Sequence, residues 1–361
     1  MNRLKVDLGK NSYPIFIGNG ILQNLGEMLK LYNFADHAVV VTDSNVKKQY
    51  GDVLAKTLEN AVDSVDVIDV LPGEKSKTLR TIDRIITRML EFGCDRNSVV
   101  LACGGGVVGD IAGFAASIFK RGVACVQVPT TLLAQVDSAI GGKTGVNHAL
   151  GKNLLGTFHQ PKMVWSDLAV LQTLPKREVI CGLAEIIKYG VIGDMALFES
   201  VEQNLERIIG LDLELLQTIV TRCSEIKADV VAKDEKESGL RMSLNFGHTI
   251  GHALEAQIGY KKISHGEAVL LGMQAESRMA VELQILAKEE FERISVLVSG
   301  FGLGAIFSSI DIRALDQFMK VDKKATGGKL KFVLPRKIGE VDILEDVPAD
   351  VIRKGIAELR N

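Results

Sequence analysis

Aromatic side chains supply only 5% of the 361 residues, and Trp occurs once. Gly, by contrast, occurs 35 times. That pairing argues against an aromatic-rich all-β binder and for an α/β enzyme. Neither sign of charge is in excess, since 43 Lys and Arg against 45 Asp and Glu leave −2. A nucleic-acid or anionic-membrane surface spread over the whole protein is thereby excluded, although a local basic pocket is not. Cysteine is scarce. Cys94, Cys103, Cys125, Cys181 and Cys223 are odd in number, widely spaced and never form CxxC. Neither a disulfide framework nor a Cys-type zinc site is expected, and the five read as small buried hydrophobes. Long apolar runs are missing too. The longest uncharged stretch lies between Arg293 and Asp311, holds three Gly and four Ser, and falls short of a membrane span. The opening residues, Met1 to Asp7, lack the apolar segment of a signal peptide. A soluble, cytoplasmic protein with no membrane partner is expected. No internal repeat or low-complexity linker is visible.

What is present is an ordinary globular mixture of 47% apolar and 24% charged residues. Such a chain has enough apolar surface to offset its conformational entropy, and its length suggests roughly two domains. In the first half, short apolar runs alternate with helical patterns. The runs at 38–42, 65–71, 98–103, 124–128 and 163–165 read as strands. The first ends at Asp43, the second in Pro72-Gly73-Glu74, and the third in three glycines. This alternation predicts a mainly parallel sheet covered by helices, with ligands at the carboxyl ends of its strands. From about Thr173 the pattern is helical, with Leu183, Ile186, Ile187 and Val191 on one face and a short strand at 330–334. The expected architecture is a Rossmann-like α/β domain over 1–172, which binds a dinucleotide, followed by an all-α domain over 173–361.

Three segments carry chemistry. Gly104 to Asp110 fits G-x-G-x-x-G between a predicted strand and a predicted helix. That context lets backbone amides approach a pyrophosphate at a helix N-terminus, although a tight βα turn also fits. No acidic residue ends a strand about 20 residues later, as an ordinary Rossmann unit requires; the acidic strand ends come earlier, at Asp43 and Glu74. Next, Pro129-Thr130-Thr131, Asp137 to Asn147 and Gly151-Lys152-Asn153 gather small residues, hydroxyls and lysines. The stretch reads as a phosphate cradle closed by ammonium groups rather than a solvated polar loop. Finally, three of six histidines fall within 18 residues, His248, His252 and His265. Two histidines at i and i+4 share a helix face, so spacing alone pairs His248 with His252 as metal ligands. Glu185, Glu255 or Glu267 could complete the set. Glu185 and Lys188 also stand one turn apart in an apolar, glycine-flanked segment, where buried charges need partners.

Together these segments resemble the 3-dehydroquinate synthase family of the shikimate pathway, nearly from end to end. The most specific matches are Gly104 to Asp110, Lys120-Arg121-Gly122, Pro129 to Asn147, Gly151 to Pro161, Thr173-Leu174-Pro175, Glu185 to Gly190, Gly239 to Glu255 and His265 to Val269. After about residue 280 only Asp322-Lys323-Lys324 matches distinctly. Ala139 stands where the family often has serine, and Thr157 and His159 lie in a variable stretch.

The resemblance implies conversion of 3-deoxy-D-arabino-heptulosonate 7-phosphate into 3-dehydroquinate and phosphate, with NAD and Zn2+ or Co2+. It implies Glu185, His248 and His265 as metal ligands, which overrides the spacing-based pair and leaves His252 a phosphate contact. It implies Asp137, Lys188, Lys227 and Asn245 around the reacting hydroxyls, and Arg241 on the substrate carboxylate. Lys152, Asn153 and one of Lys323 and Lys324 would hold the phosphate. Arg121 would reach it from a neighbouring subunit, so a homodimer is implied. Asp43, Glu74, Lys77, Gly106, Val107, Asp110, Thr130, Thr131, Lys143 and, again, Lys152 would form the NAD site, with Thr173 and Glu178 added. The competing expectations are a related sugar-phosphate cyclase, a metal-dependent glycerol or alcohol dehydrogenase, and a non-catalytic dinucleotide sensor.

Overall fold

A computed structural model describes residues 1–34, 37–59, 61–237, 239–259, 262–303 and 330–359. The chain falls into two compact units, one of residues 1–175 and 211–236, the other of 176–210 and 237–361.

The first unit is built on a seven-stranded sheet, counted among the described residues. Its strands are β1 (Asn2–Val6), β2 (Tyr13–Gly18), β3 (His37–Asp43), β4 (Ser64–Val70), β5 (Val99–Gly104), β6 (Ala124–Pro129) and β9 (Met163–Asp167). They lie in the order β1-β2-β9-β6-β5-β3-β4. All neighbours are parallel except β1 and β2. Side chains of a strand alternate between faces, and the central strands are apolar on both. Val39, Val41, Val100 and Ala102 pack into one cluster with Ile82, Ile85 and Ile111. Val40, Leu101, Cys103 and Val126 pack into the other with Leu25, Leu54 and Leu58. Helices α1 (Leu25–Leu31), α2 (Ser44–Leu58), α3 (Leu79–Glu91) and α4 (Gly106–Ile118) supply the covering residues. The chain runs outward from β3 to β4, then returns to β5 on the other side of β3. Loops after β3 and β5 therefore diverge, as at the ligand-binding crevice of open α/β sheets.

Two features of this unit depart from the sequence expectations. Strands β1 and β2 lie before the first anticipated strand. The stretch at 143–158, where no strand was anticipated, is a hairpin, β7 (Lys143–His148) with β8 (Gly151–Phe158). Its glycines permit the pairing: a Cβ at Gly156 would fall 2.0 Å from the Thr144 carbonyl oxygen.

A division at residue 172 also misses one return. Helix α7 (Leu213–Lys233) belongs to the first unit and packs on β1, β2 and the turns at 134–138 and 168–173. Its buried Leu216, Ile219, Val220, Cys223, Lys227 and Val231 follow helical spacing, so the pattern reveals the helix but not the partner it covers.

The second unit is helical, with α5 (Lys176–Gly193), α6 (Met195–Ile209), α8 (His248–Ile258), α9 (His265–Glu282), α10 (Lys288–Ser299) and a last helix at Ala349–Glu358. It also holds an antiparallel hairpin, β10 (Lys331–Lys337) with β11 (Glu340–Glu345), so it is not purely α. Helix α9 is buried along most of its length against α5, α8, α10, the last helix and β10. No described helix is long and apolar enough to cross a membrane, and all five cysteines are buried and free.

Candidate active site

In the first unit, the candidate side chains lie at or just after the carboxyl ends of β3, β4, β5 and β6. Asp43 ends β3 and caps α2, accepting from the amides of Asn45 and Val46 at 2.8 and 3.1 Å. The glycine turn after β5 holds Gly106 and Val107 at the start of α4. Its glycines are needed for close approach, not for unusual dihedrals. A Cβ at Gly104 would fall 2.5 Å from Val108, one at Gly105 would fall 2.9 Å from Thr131, and one at Gly106 would fall 2.9 Å from Ser138. The Thr130 amide donates to the Gly104 carbonyl at 3.0 Å, joining the turn to the end of β6.

Lys77 is the hub of a polar network there. Its buried ammonium donates to Asp110 at 2.6 Å and to the Asn153 side chain at 2.5 Å, with Glu74 at 4.0 Å. Asn147 closes the ring, donating to Glu74 at 2.7 Å and accepting from the Asn153 amide at 2.9 Å. Burial pushes the Asp110 carboxyl up, while the Lys77 ammonium pulls it down. Asn153 stands at φ +55°, a left-handed conformation that Asn tolerates better than most residues. Beyond this network, Lys227 reaches from α7 to the turn at 134–138. Its ammonium sits 2.9 Å from the Asp137 carboxylate and 2.7 Å from the Asp137 carbonyl.

In the second unit the arrangement is set by helices. Glu185 and Lys188 lie one turn apart on α5, both about 1% exposed, and their side chains pair at 2.5 Å. His248 opens α8 and His265 opens α9. Each Nε2 stands 3.6 Å from the same Glu185 oxygen, and one ligand atom from each of the three residues lies within 4.8 Å of the other two. Two imidazoles and a carboxylate are the donor set of many catalytic zinc sites.

The other ring nitrogens are held as metal ligands require. His248 Nδ1 is 3.0 Å from the Phe246 carbonyl, and His265 Nδ1 is 3.4 Å from Glu255, which is buried. Burial pushes His248 down to about 3, against the pull of Glu185, so its ring is neutral and can ligate. Burial also acts downward on His265, but hydrogen bonds to Glu185 and Glu255 outweigh it and raise it to about 9. A cation would displace that proton.

Glycines fix the helix spacing around this cluster. A Cβ at Gly272 of α9 would lie 1.9 Å from the Gly247 carbonyl oxygen, and one at Gly266 would lie 2.4 Å from the Cys181 Cα on α5. The nearby turn Leu240–Asn245 carries Arg241, about 1% exposed, and Asn245, whose side chain is 3.4 Å from Glu237.

The anticipated residues thus divide between the units. Asp43, Glu74, Lys77, Gly106, Val107, Asp110, Arg121, Thr130, Thr131, Asp137, Lys143, Lys152, Asn153, Thr173 and Lys227 belong to the first. Glu178, Glu185, Lys188, Arg241, Asn245, His248, His252 and His265 belong to the second. Glu178, expected to join the NAD set, is an exposed first-turn residue of α5. Thr173 bonds to the Tyr50 hydroxyl at 2.7 Å. Lys143 opens β7 with its side chain exposed, and Lys152 lies on β8. Lys323 and Lys324 lie outside the described residues. The spacing-based pair, His248 with His252, is not the three-residue cluster. Those two rings stack edge to face at 5.4 Å, and His252 instead falls into a second group with Glu255 and His265. Spacing on one helix could not show that α5 and α9 each bring a ligand to α8.

One residue of this region went unnoticed in the sequence. Glu276 of α9 is fully buried, and its carboxylate accepts from the Gly247 amide at 2.6 Å and the Ile250 amide at 3.4 Å. The available signal was a lone acid eleven residues after His265, three helical turns along the same face.

Solved structures that this fold matches at high TM-score are sugar-phosphate cyclases. The structure superimposes on 2-deoxy-scyllo-inosose synthase, solved with carbaglucose-6-phosphate, NAD+ and Co2+, with TM-score 0.90 and 26% identity over 99% of this chain and all of that one. It also matches 2-epi-5-epi-valiolone synthase from Streptomyces hygroscopicus, solved with NAD+ and Zn2+, with TM-score 0.87 and 28% identity over 96% of each chain. Sequence narrows the class. Residues 67–181 match the 3-dehydroquinate synthase N-terminal family and residues 182–325 the 3-dehydroquinate synthase C-terminal family. The 3-dehydroquinate synthase of Desulforamulus reducens is 47% identical over 98% of this chain and 99% of its own length. The chain belongs to the 3-dehydroquinate synthase family, an enzyme family of carbon–oxygen lyases.

Proposed function

We propose that this chain converts 3-deoxy-D-arabino-heptulosonate 7-phosphate into 3-dehydroquinate and phosphate, using NAD and a divalent Zn2+ or Co2+. The sequence of events is a transient oxidation, elimination of phosphate, re-reduction, ring opening and an intramolecular aldol closure. The observation that carries this reading is the Glu185–His248–His265 cluster in a chain whose two halves both match the family.

The residues fit both groups. Glu185 offers a carboxylate oxygen and the two histidines offer nitrogens whose partners leave Nε2 to ligate. The glycine turn at 104–106 leads into the N-terminus of α4, the kind of helix end whose backbone amides take a pyrophosphate. When bound, NAD+ supplies a reversible hydride acceptor and the cation polarises the oxygen of the carbinol being oxidised.

Everything else falls to the chain's own residues. Lys77, Glu74, Asp110, Asp43, Thr130, Thr131 and Lys143 hold the dinucleotide, with Thr173 and Glu178 as outer contributors. Arg241 offers a planar fork to the substrate carboxylate. Lys152, Asn153 and His252 bind the phosphate, and either Lys323 or Lys324 adds to them. Asp137, Lys188, Lys227 and Asn245 orient the reacting hydroxyls, and Lys227 is already pinned by two bonds to Asp137. The substrate phosphate itself serves as base for its own elimination, so no side chain is reserved for that step.

The chain works in the cytoplasm as a homodimer in which Arg121 of one subunit reaches the phosphate held by the other. In support, Lys120, Arg121 and Gly122 form an exposed turn with φ of 48°, 71° and 115°. Such strain persists where it presents a side chain to a partner or ligand.

A phosphate-release assay with the heptulosonate phosphate, Zn2+ and sub-stoichiometric NAD+ tests the reading. Many turnovers without build-up of NADH absorbance are expected. NADH rising in step with substrate loss would make the protein a dehydrogenase instead.

A further inference from the structure

We infer that Glu276 is a positioning residue for the metal cluster, holding His248 in its ligating orientation by capping helix α8 from helix α9. The inference rests on the reading of Glu185, His248 and His265 as the cation site.

Helix α8 has an unusual start. Its N-cap is Gly247 at φ +78°, which offers no side chain to bond the first amides. Open amides at a buried helix N-terminus must find acceptors elsewhere. Glu276 provides them, one oxygen taking the Gly247 amide at 2.6 Å and the other the Ile250 amide at 3.4 Å. Both Glu276 oxygens are thereby used as acceptors for amides that the helix itself cannot satisfy. The bonded amides flank His248, the first residue of α8, on both sides. They also fix the turn whose Phe246 carbonyl stands 3.0 Å from His248 Nδ1. The ring orientation of one ligand is therefore set from α9, the helix that carries another ligand, His265. One rigid unit, α9, controls both histidines.

The test uses the full chain, stripped of metal and reloaded with Co2+. Co2+ retention is measured by competition with a coloured chelator, and ligand geometry by the visible d–d absorption. Three variants are compared with the wild type. Glu276→Ala removes the cap. Glu276→Gln keeps one carbonyl acceptor. Ile294→Ala, in a buried position of α10, is a control for general destabilisation.

Expected are a loss of Co2+ affinity of about 10–100-fold for Glu276→Ala, a changed d–d spectrum, and partial recovery in Glu276→Gln. Ile294→Ala should lower the thermal midpoint while leaving affinity and spectrum as in wild type. Wild-type affinity and spectrum in both Glu276 variants would overturn the inference, and so would failure of both to fold, which would make Glu276 a folding residue alone. Should Glu276→Ala alone fail to fold, Glu276→Gln decides by the same two readouts. The cation-site reading fails separately: if wild-type protein and Glu185→Gln retain Co2+ equally, the cluster is not the site and this inference goes with it.

Discussion

The two units place chemistry by different means. Around the glycine turn of the first unit, what a Cβ would meet are side chains, those of Val108, Thr131 and Ser138. Around the Glu185–His248–His265 cluster of the second unit, it would meet backbone, the Gly247 carbonyl and the Cys181 Cα. At Gly105 and Gly106 the atoms met, on Thr131 and Ser138, can move by a rotamer change, but two helix backbones in contact can only move apart. The first unit's residues are also joined in a half-exposed network of many bonds, Glu74–Asn147–Asn153–Lys77–Asp110. The second unit instead depends on a few fully buried charges. A sheet edge can therefore tolerate adjustment where a helix-built cluster cannot.

The largest expected effect attacks the buried pair. Glu185→Ala leaves the Lys188 ammonium without its carboxylate in the interior. Breaking such a pair costs about 3–5 kcal/mol. Urea unfolding should show that loss, and bound zinc and turnover should fall together to background. A stable, zinc-loaded variant would remove the cluster from the account.

Next comes the contrast of glycines. Gly272→Ala must force α9 from α8 and is expected to cost about 3 kcal/mol, the upper end for overpacking, with weaker zinc retention. Gly105→Ala meets the Thr131 side chain first, at 2.9 Å, and should cost about 1 kcal/mol. It should weaken NAD+ binding and leave zinc retention unchanged. Equal zinc loss in both variants would break the comparison.

The polar network gives a similar but narrower test. Lys77→Met removes charged hydrogen bonds to Asp110 and Asn153, each kind worth about 1.5–3 kcal/mol. Calorimetry should show weaker NAD+ binding with the Zn2+ isotherm unaltered. If the Zn2+ isotherm shifts as much as the NAD+ one, the two sets are not separable.

The smallest effect is a pH dependence. His159 sits on the first unit with its Nε2 2.9 Å from the Val123 carbonyl, and burial lowers its pKa from the ordinary 6.5. A depressed histidine contributes stability that is complete above the unfolded value and is lost as pH falls through the folded one. The thermal midpoint should drop as pH falls below about 6.5, and His159→Gln should shallow that drop. An unchanged acid limb in the variant would assign the drop to other groups.

How far the sequence reached follows the same division. In the first unit, the candidate residues lie in contiguous runs at strand ends, and the glycine run with Asp43, Glu74 and the Thr130-Thr131 pair was visible as such. The hairpin at 143–158 was not, because its polar, glycine-rich composition carries no apolar strand pattern and only cross-strand pairing makes it a ribbon. Strands β1 and β2 also escaped: β1 is half exposed with charged residues between its apolar ones, and β2 carries a Pro and ends in Gly. In the second unit, Glu185, His248 and His265 come from three helices, so no single helical period could unite them; the resemblance to a family named the three together, and the structure brings their ligand atoms within 4.8 Å of one another. The return of α7 was invisible for a related reason. An apolar face shows that a helix is covered, not by what.

The most direct test of the whole reading follows one hydrogen. Substrate carrying deuterium at the carbinol carbon that is oxidised is turned over with unlabelled NAD+ and Zn2+. Hydride removed and returned within one site predicts 3-dehydroquinate that retains the deuterium, with none in the NAD pool. Deuterium lost from the product and recovered in free NADH would contradict a redox-neutral cyclase.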